Sequence, residues 1–376
     1  MLEGMEVPYL PSSNGELLEW KKQGKRAIGY FCQSFPREMI YAAGLLPVRI
    51  LGDSKPIKHG NDFWCRFACY LSRSSVDLAL EGSLNLLDGT VFTYTCDTMP
   101  YLIQRWQQIP SQKGKFWYYL TRPLRSDTEG CRDFFRRELE DLKGAIESYF
   151  QVSISDESMK ESFRLYNENR ALLREIDSLK KEGLVDSVEA AKATFMSMVW
   201  PPEKSIEFLR SLISRAKQEG KAEREGRLRL FLSGSVLPNS ELYEVIEEEG
   251  GTVVADDLCT GSRYMRGSIS EDGDPLEALA SYYLVEDEIN WQCPSMLTEK
   301  RAEERLKYIE DTVESLGIHG VVFAIPIYCD MCSWDRIWLV HQLQQKGIRT
   351  LILDQEGSMK TDAVRTRIAA FIETLG

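Results

Sequence analysis

Short apolar runs alternate with helix-patterned stretches twice along this chain, and a charged segment separates the two series. In the first series the pattern predicts strands at Ala27 to Phe31, Pro47 to Leu51, Leu86 to Tyr94 and Lys115 to Leu120. Helices are expected between them at Pro36 to Ala43, Ser72 to Glu81 and Met99 to Gln107. Pro36 suits a first helical turn, and Gly44 and Gly82 are C-terminal stops. The second series predicts strands at Leu228 to Leu232, Thr252 to Ala255, Gly320 to Ile327 and Arg349 to Leu353. Its helices fall at Ser240 to Glu249, Pro275 to Tyr283, Thr298 to Leu316, Trp334 to Lys346 and Asp362 to Leu375. Strand–helix alternation of this kind predicts a parallel sheet covered on both faces.

The segment from Asp127 to about Gln218 lacks strand-like runs. Apolar residues recur there at helical spacing (Phe134, Leu139, Leu142, Ile146), so three or four helices are expected, with Pro201 and Pro202 marking the last boundary. The charged run Lys217 to Arg229 reads as a solvated linker. The expected fold is therefore α/β, with two doubly wound, Rossmann-like parallel-sheet lobes joined by a helical segment. The divisions are 1–126, 127–222 and 223–376, which suits the 376 residues, too many for one compact core.

A net charge of −12 repels phosphate backbones and anionic membrane surfaces, so nucleic acid and membrane are poor partners. The first residues show no basic-then-apolar run, and nowhere do about 18 uninterrupted apolar residues occur. The expected compartment is the cytoplasm. There the nine cysteines stay reduced, which directs attention to metal or redox chemistry. The three histidines are too few for a His-rich metal site.

In open α/β sheets ligands collect outside the carboxyl ends of the strands. Cys32, Cys96, Cys259 and Cys329 each follow a predicted strand, two from each lobe, so facing lobes would bring them into one cleft. Cys65 and Cys69 precede the helix that carries Arg73, where a helix N-terminus and a cation favour thiolate. Cys293 lies in a loop before Pro294. Cys131 starts a charged helix, and for it, Cys65 and Cys332 burial as a small hydrophobe is the competing reading. Cys329-Asp330-Met331-Cys332 lacks the second such pair of a compact zinc site. A thiol-exchange role is disfavoured because Asp330 would raise the thiol pKa. Thiolates from distant positions in a His-poor chain suit an iron–sulfur cluster, and three ligands on a four-iron cube leave one iron open. There is no Walker A pattern, no dinucleotide fingerprint and no Ser nucleophile elbow, so no nucleotide is expected on this chain.

The stretches Ile28 to Val48, Cys69-x3-Arg73-Ser74, Leu87-Asp-Gly89 leading to Thr95-Cys-Asp97, Tyr328-Cys-Asp330, Leu165-Tyr-Asn-Glu-Asn-Arg170 and Arg365 to Glu373 resemble the iron–sulfur subunits of 2-hydroxyacyl-CoA dehydratases and benzoyl-CoA reductases. The resemblance covers nearly the whole chain. It implies a subunit bearing a [4Fe-4S] cluster in the interlobe cleft, held by Cys69, Cys96 and Cys329, in an anaerobic system that reduces an acyl-CoA or aromatic-CoA thioester. It also implies a separate ATP-hydrolysing iron–sulfur activator and a homologous sister subunit, or a homodimer. Arg73 and Ser74 downstream favour Cys69 over Cys65. Cys32, Cys259 and Cys293 fall where related double-cubane reductases carry cysteine, so an [8Fe-9S] double cluster stands as the alternative to one cube. Ser34 matches a polar position beside the cluster, or else caps the helix after Pro36. The run Ser72 to Gly89 leans towards the aromatic-ring reductases. The contrasting class is a non-catalytic two-lobe binding or electron-storage protein.

Overall fold

The computed structural model describes residues 10–125, 129–220, 226–284, 294 and 299–376. Its strands are β1 (Ala27–Tyr30), β2 (Leu46–Arg49), β3 (Gly89–Thr93), β4 (Phe116–Leu120), β5 (Leu228–Gly234), β6 (Gly251–Asp257), β7 (Gly320–Pro326) and β8 (Arg349–Gln355). Helices in the first part are α1 (Gly15–Lys22), α2 (Arg37–Ala42), α3 (Gly60–Phe63), α4 (Tyr70–Leu80) and α5 (Thr98–Trp106). Then come α6 (Glu129–Phe150), α7 (Asp156–Lys181), α8 (Ser187–Val199) and α9 (Pro202–Glu219). The last part holds α10 (Glu241–Glu248), α11 (Pro275–Leu284), α12 (Glu299–Ser315), α13 (Asp330–Gln345) and α14 (Asp362–Leu375).

Two four-stranded sheets form, ordered β2-β1-β3-β4 and β6-β5-β7-β8, and every pairing is parallel. In each sheet the chain moves from its first strand to one neighbour and then returns to the other side, which opens a crevice at the carboxyl ends of the two central strands. Those crevices lie at the ends of β1 and β3 and of β5 and β7.

The expected α/β class and parallel sheets are present, with differences at the element ends. The run from Leu86 becomes strand only at Gly89, and α4 begins at Tyr70 rather than Ser72. Helix α13 begins at Asp330, a full turn before Trp334, which places Cys329 at its N-cap. The linker expected from Lys217 is still helix up to Glu219. In α6 it is Phe135, with Leu139, Leu142 and Ile146, that packs into the core, while Phe134 is exposed. Steps of four, three and four residues keep those side chains on one face, and Phe134 falls off it.

Helix α7 is the spine between the sheets. Its 26 residues span roughly 39 Å at 1.5 Å per residue. Ser155 caps it by accepting from Ser158 N at 3.1 Å. Its buried stripe (Met159, Phe163, Tyr166, Leu173, Ile176) follows the helical repeat. Packing crosses the sequence divisions near 126 and 222. One apolar cluster runs from Leu46 and Phe92 through Phe195 to Leu230 and Val322. Helix α11 joins a second cluster that contains Ile28, Phe35 and Leu142. The two sheets are thus fastened through shared cores.

Central strand β5 ends on Gly234, where a Cβ would lie 1.9 Å from the Ala324 carbonyl oxygen of β7. Gly234→Ala is expected to cost about 3 kcal/mol or more, because backbone and not a flexible side chain must give way. Gly144→Ala, within α6 with nothing within 4 Å of the added carbon, is the control and should be neutral or stabilising in urea unfolding.

Candidate functional site

Cys69, Cys96 and Cys329 share one local design. Each sits where a chain segment turns into a helix: Cys69 is the N-cap of α4, Cys329 the N-cap of α13, and Cys96 immediately precedes Asp97, the N-cap of α5. The unpaired N–H groups and positive dipole ends of three helices favour negative charge at these positions. The Cys96 sulfur receives the N–H groups of Thr98 and Met99. Cys96 follows β3 and Cys329 follows β7, so both stand at the crevices defined by the strand order.

Contacts between the two lobes bring Cys69 to Cys329. Tyr70 N donates to Ile327 O at 3.1 Å, two residues before Cys329. Arg73, itself buried, donates from Nε to Ala68 O at 2.9 Å and from Nη2 to Glu356 Oε1 at 3.1 Å, beyond the end of β8. Its guanidinium lies 5.6 Å from the centre of the Tyr328 ring. Tyr328 takes a left-handed backbone (φ 62°), a sparsely populated state for a residue other than glycine, and this turn sets Cys329 on α13.

The sulfurs feel one another. Burial first, then the charge of Cys69, pushes Cys96 up to about 12, with Cys32 adding to it. Burial also raises Cys69, against the opposing hydrogen bonds of Ser72 and the charge of Arg73. Cys329 is raised because it donates to Cys332, and by burial. Cys332 is lowered by that hydrogen bond and then by Arg263 and Arg305. Several buried thiolates in one place repel unless a cationic centre joins them, so this donor set fits iron taking the place of the protons.

Polar side chains at the same sheet edges strengthen the fit. Gln33, after β1, and Gln355, at the end of β8, are buried with both amide atoms lacking a protein partner. Arg49 Nη2 and Thr93 Oγ1, on the last residues of β2 and β3, are likewise buried without one. Each such group costs about 1–3 kcal/mol when left unsatisfied, so each of these strand-end side chains is suited to meet another group. Among the described residues no three His, Cys, Asp or Glu side chains stand together as a single metal ion requires. A four-iron cube is a different demand, since its thiolates sit on separate irons and are spread more widely.

The remaining cysteines divide. The Cys32 sulfur accepts Ser34 N at 3.4 Å. Cys259 is buried in the apolar core, 3.4 Å from Arg263 Nη1, while its carbonyl accepts Arg49 Nη1 at 2.6 Å. Cys65 is exposed and lines a groove of about 420 Å³ with Trp64, Tyr101 and Arg105. Cys131 sits in the first turn of α6. Cys293 lies outside the described residues. Ser34 is buried two residues from Cys32, and the cap reading for it is corrected: Pro36 is the N-cap of α2, with no side-chain cap bond.

Sequence reasoning missed a buried charged layer under Cys332. Arg263 Nε donates to Asp257 Oδ1 at 2.6 Å and Arg305 Nε to Asp257 Oδ2 at 2.7 Å, and Arg305 also pairs with Asp335. The two guanidiniums hold the Asp257 carboxyl well below the usual range, against its burial. The only hint was the placing of Arg263 four residues after Cys259.

A two-sheet α/β protein with buried and half-buried thiols at three helix N-termini is the class that fold and site define. The family profile of 2-hydroxyglutaryl-CoA dehydratase, D-component, matches residues 32–375. The chain belongs to that family, and so to the dehydratase and reductase kind of enzyme. It is 26% identical over 366 residues to one of the subunits of benzoyl-CoA reductase from Thauera aromatica, covering 95% of this chain and 93% of the relative. The beta subunit of lactoyl-CoA dehydratase from Anaerotignum propionicum is 27% identical over 357 residues, covering 94% and 92%. The beta subunit of (R)-2-hydroxyglutaryl-CoA dehydratase from Acidaminococcus fermentans is 23% identical over 319 residues, covering 84% and 83%. A solved GTP-binding protein of Sulfolobus solfataricus overlays with a TM-score of 0.24 at 10% identity, covering 94% of this chain and 100% of that one, too slight a likeness to bear on fold or function. Among the described residues no helix is long and apolar enough to cross a membrane.

Proposed function

We propose that the chain is the cluster-bearing subunit of a cytoplasmic, ATP-activated enzyme that reduces a CoA thioester, with Cys69, Cys96 and Cys329 holding a [4Fe-4S] cube between the lobes. The observation that carries this reading is the set of mutually interacting thiols, Cys69 buried and Cys96 and Cys329 half-buried, that both halves of the chain present at helix N-termini, in a member of a dehydratase and reductase family. When bound, the cube supplies one-electron chemistry at low potential. The chain's own residues supply the rest. The helix ends stabilise the negative charge of the thiolates, and the Tyr70–Ile327 and Arg73–Glu356 contacts hold the lobes closed over the site. The shared core excludes water, and Gln33 and Arg49 offer buried donors to a group that gains charge.

The partners this requires are a homologous sister subunit or a second copy of the chain, and a separate ATP-hydrolysing iron–sulfur activator that delivers the electron. The substrate is an acyl-CoA or an aromatic-CoA thioester. Similarity does not choose between them, because the reductase relative is 26% and the lactoyl-CoA dehydratase relative 27% identical. A second reading, an [8Fe-9S] double cubane, draws support from the charge interaction of Cys32 with Cys96 and needs Cys259 and Cys293 as well.

Anaerobic purification tests the assignment. A brown protein with iron and acid-labile sulfide is expected, and a colourless, iron-free one would return the chain to the non-catalytic binding class. Iron per chain separates one cube from two. Turnover with the cognate activator, comparing benzoyl-CoA with a 2-hydroxyacyl-CoA, then decides the reaction.

A further inference from the structure

We infer that Gln355 donates a side-chain hydrogen bond to a sulfur of the cube proposed above and thereby raises its reduction potential. The inference rests on that reading and adds a residue that tunes the cube rather than holds it. Gln355 is the last residue of β8, it is buried, and neither of its amide atoms has a hydrogen-bond partner in the protein. Side chains alternate along a strand, so Gln355 shares a face with Leu351 and Leu353. Leu353 lies in the apolar cluster common to both sheets, with Leu351 packed against it, which makes this the face that β8 turns towards the shared core. The strand register pairs Gln355 with Pro326 of β7, whose Val322 and Ala324 belong to the same cluster.

Two of the proposed ligands stand just beyond that pairing. Ile327 N donates to Gln355 O at 2.9 Å and Cys329 N to Pro326 O at 3.0 Å, so the turn that carries Cys329 hangs on the end of β8. Ile327 O accepts Tyr70 N, next to Cys69, and Glu356, next to Gln355, pairs with Arg73 on the same helix α4. Gln355 is therefore flanked by the backbone segments that present Cys69 and Cys329. Burying an amide N–H there with no acceptor is costly. Thiolate and sulfide sulfurs supply acceptors, and hydrogen bonds to the sulfurs are one of the controls on cluster potential. The sign follows from charge. Taking up one electron makes the cube more negative, a more negative acceptor strengthens the bond, and the reduced form gains more than the oxidised one. No bond to iron forms or breaks, and the amide keeps its protons.

Redox titration of the anaerobic full-length protein, followed by electron paramagnetic resonance, tests this in wild type and in Gln355→Met, a side chain of similar length with no N–H. Gln355→Met is expected to keep its iron and to lower the midpoint potential, with reduction about tenfold less favourable, or about 59 mV for a one-electron couple. Gln345→Met, exposed near the far end of α13, should leave the potential where it was. An unchanged potential in iron-replete Gln355→Met would overturn the inference. Wild type carrying isotopically labelled glutamine side-chain nitrogen gives a check that needs no variant. Its reduced cube should show electron–nuclear coupling to the label, and absence of that coupling would overturn the inference even if Gln355→Met failed to fold. Wild type lacking iron would instead overturn the cluster reading itself.

Discussion

Alanine in place of Cys96 or Cys329 is expected to remove iron, acid-labile sulfide and activity together. Both residues come from the ends of central strands, one in each sheet, so losing either removes the strand-end ligand that its sheet contributes. Cys69→Ala should behave alike, because Cys69 links the lobe contact at Tyr70 to the site. Binding free energy of a cluster adds to folding free energy, so these variants should also lose thermal stability relative to the loaded protein. Cys131→Ala, at the start of α6, should leave iron and activity intact. Iron determination after anaerobic purification checks all four, and iron retained in both Cys96→Ala and Cys329→Ala would show the ligand set to be wrong. If Cys32, Cys259 and Cys293 hold a second cube, any one change should lower iron per chain without emptying the site.

The second large effect concerns a buried ionic knot. Glu38, on α2, accepts from Arg170 Nη1 at 2.6 Å and from the Tyr283 hydroxyl at 2.7 Å, with Arg37 Nε at 3.5 Å. Its three partner residues come from α2, α7 and α11, so the knot ties together the first lobe, the helical spine and a helix contributed from the second series. Glu38→Gln leaves Arg170 and Arg37 as buried charges without their carboxylate, and should cost about 3–5 kcal/mol. Tyr283→Phe removes one hydrogen bond and should cost about 1–3 kcal/mol. Denaturant midpoints measure both. Burial alone would raise the Glu38 pKa, but the charges of Arg37 and Arg170 outweigh it and hold the carboxyl below its ordinary 4.5. With the folded value below the unfolded one, the stabilisation is present above about pH 4.5 and lost as pH falls through the folded value. Glu38→Gln should therefore flatten the acid limb of the stability curve, and a variant as stable as wild type would refute the account.

The knot also explains two sequence segments that the family resemblance singled out without giving them a role. Arg170 closes the Leu165 to Arg170 stretch, and its Nη2 donates to Asn167 Oδ1 at 2.6 Å. Asn167 in turn pairs with the backbone of Ile269, and Asn169 donates to Ser205 Oγ at 2.7 Å. Glu38 belongs to the Ile28 to Val48 stretch. In a linear reading both segments look like polar decoration of helices, because a charge run is ordinarily solvated. Only the fold reveals that they meet.

Much of the site was legible because it depends on local rules. Apolar runs followed by Gly stops marked the strands and helices, and the preference of ligands for carboxyl ends of strands picked out Cys96 and Cys329. The helix starts beside Cys69 and Cys329 were misplaced for a local reason too. Neither cysteine makes a side-chain cap bond, so the usual Ser, Thr, Asp or Asn signal is missing there. Cys65 and Cys69 are near neighbours in sequence, but one is exposed on a groove and the other buried at the lobe contact. Their difference is set by the partners each meets.

By itself, then, the order of residues determined the α/β class, the two series of parallel strands, the helical middle and the cysteines at strand ends, since each follows from periodicity or from a neighbour a few positions away. The tertiary structure alone decided the strand order, the passage of α11 to the first lobe, the burial of Glu38, Arg170, Arg263 and Arg305, and the contact of Cys332 with Cys329. Those depend on which distant surfaces exclude water from one another, and that is settled only when the whole chain packs.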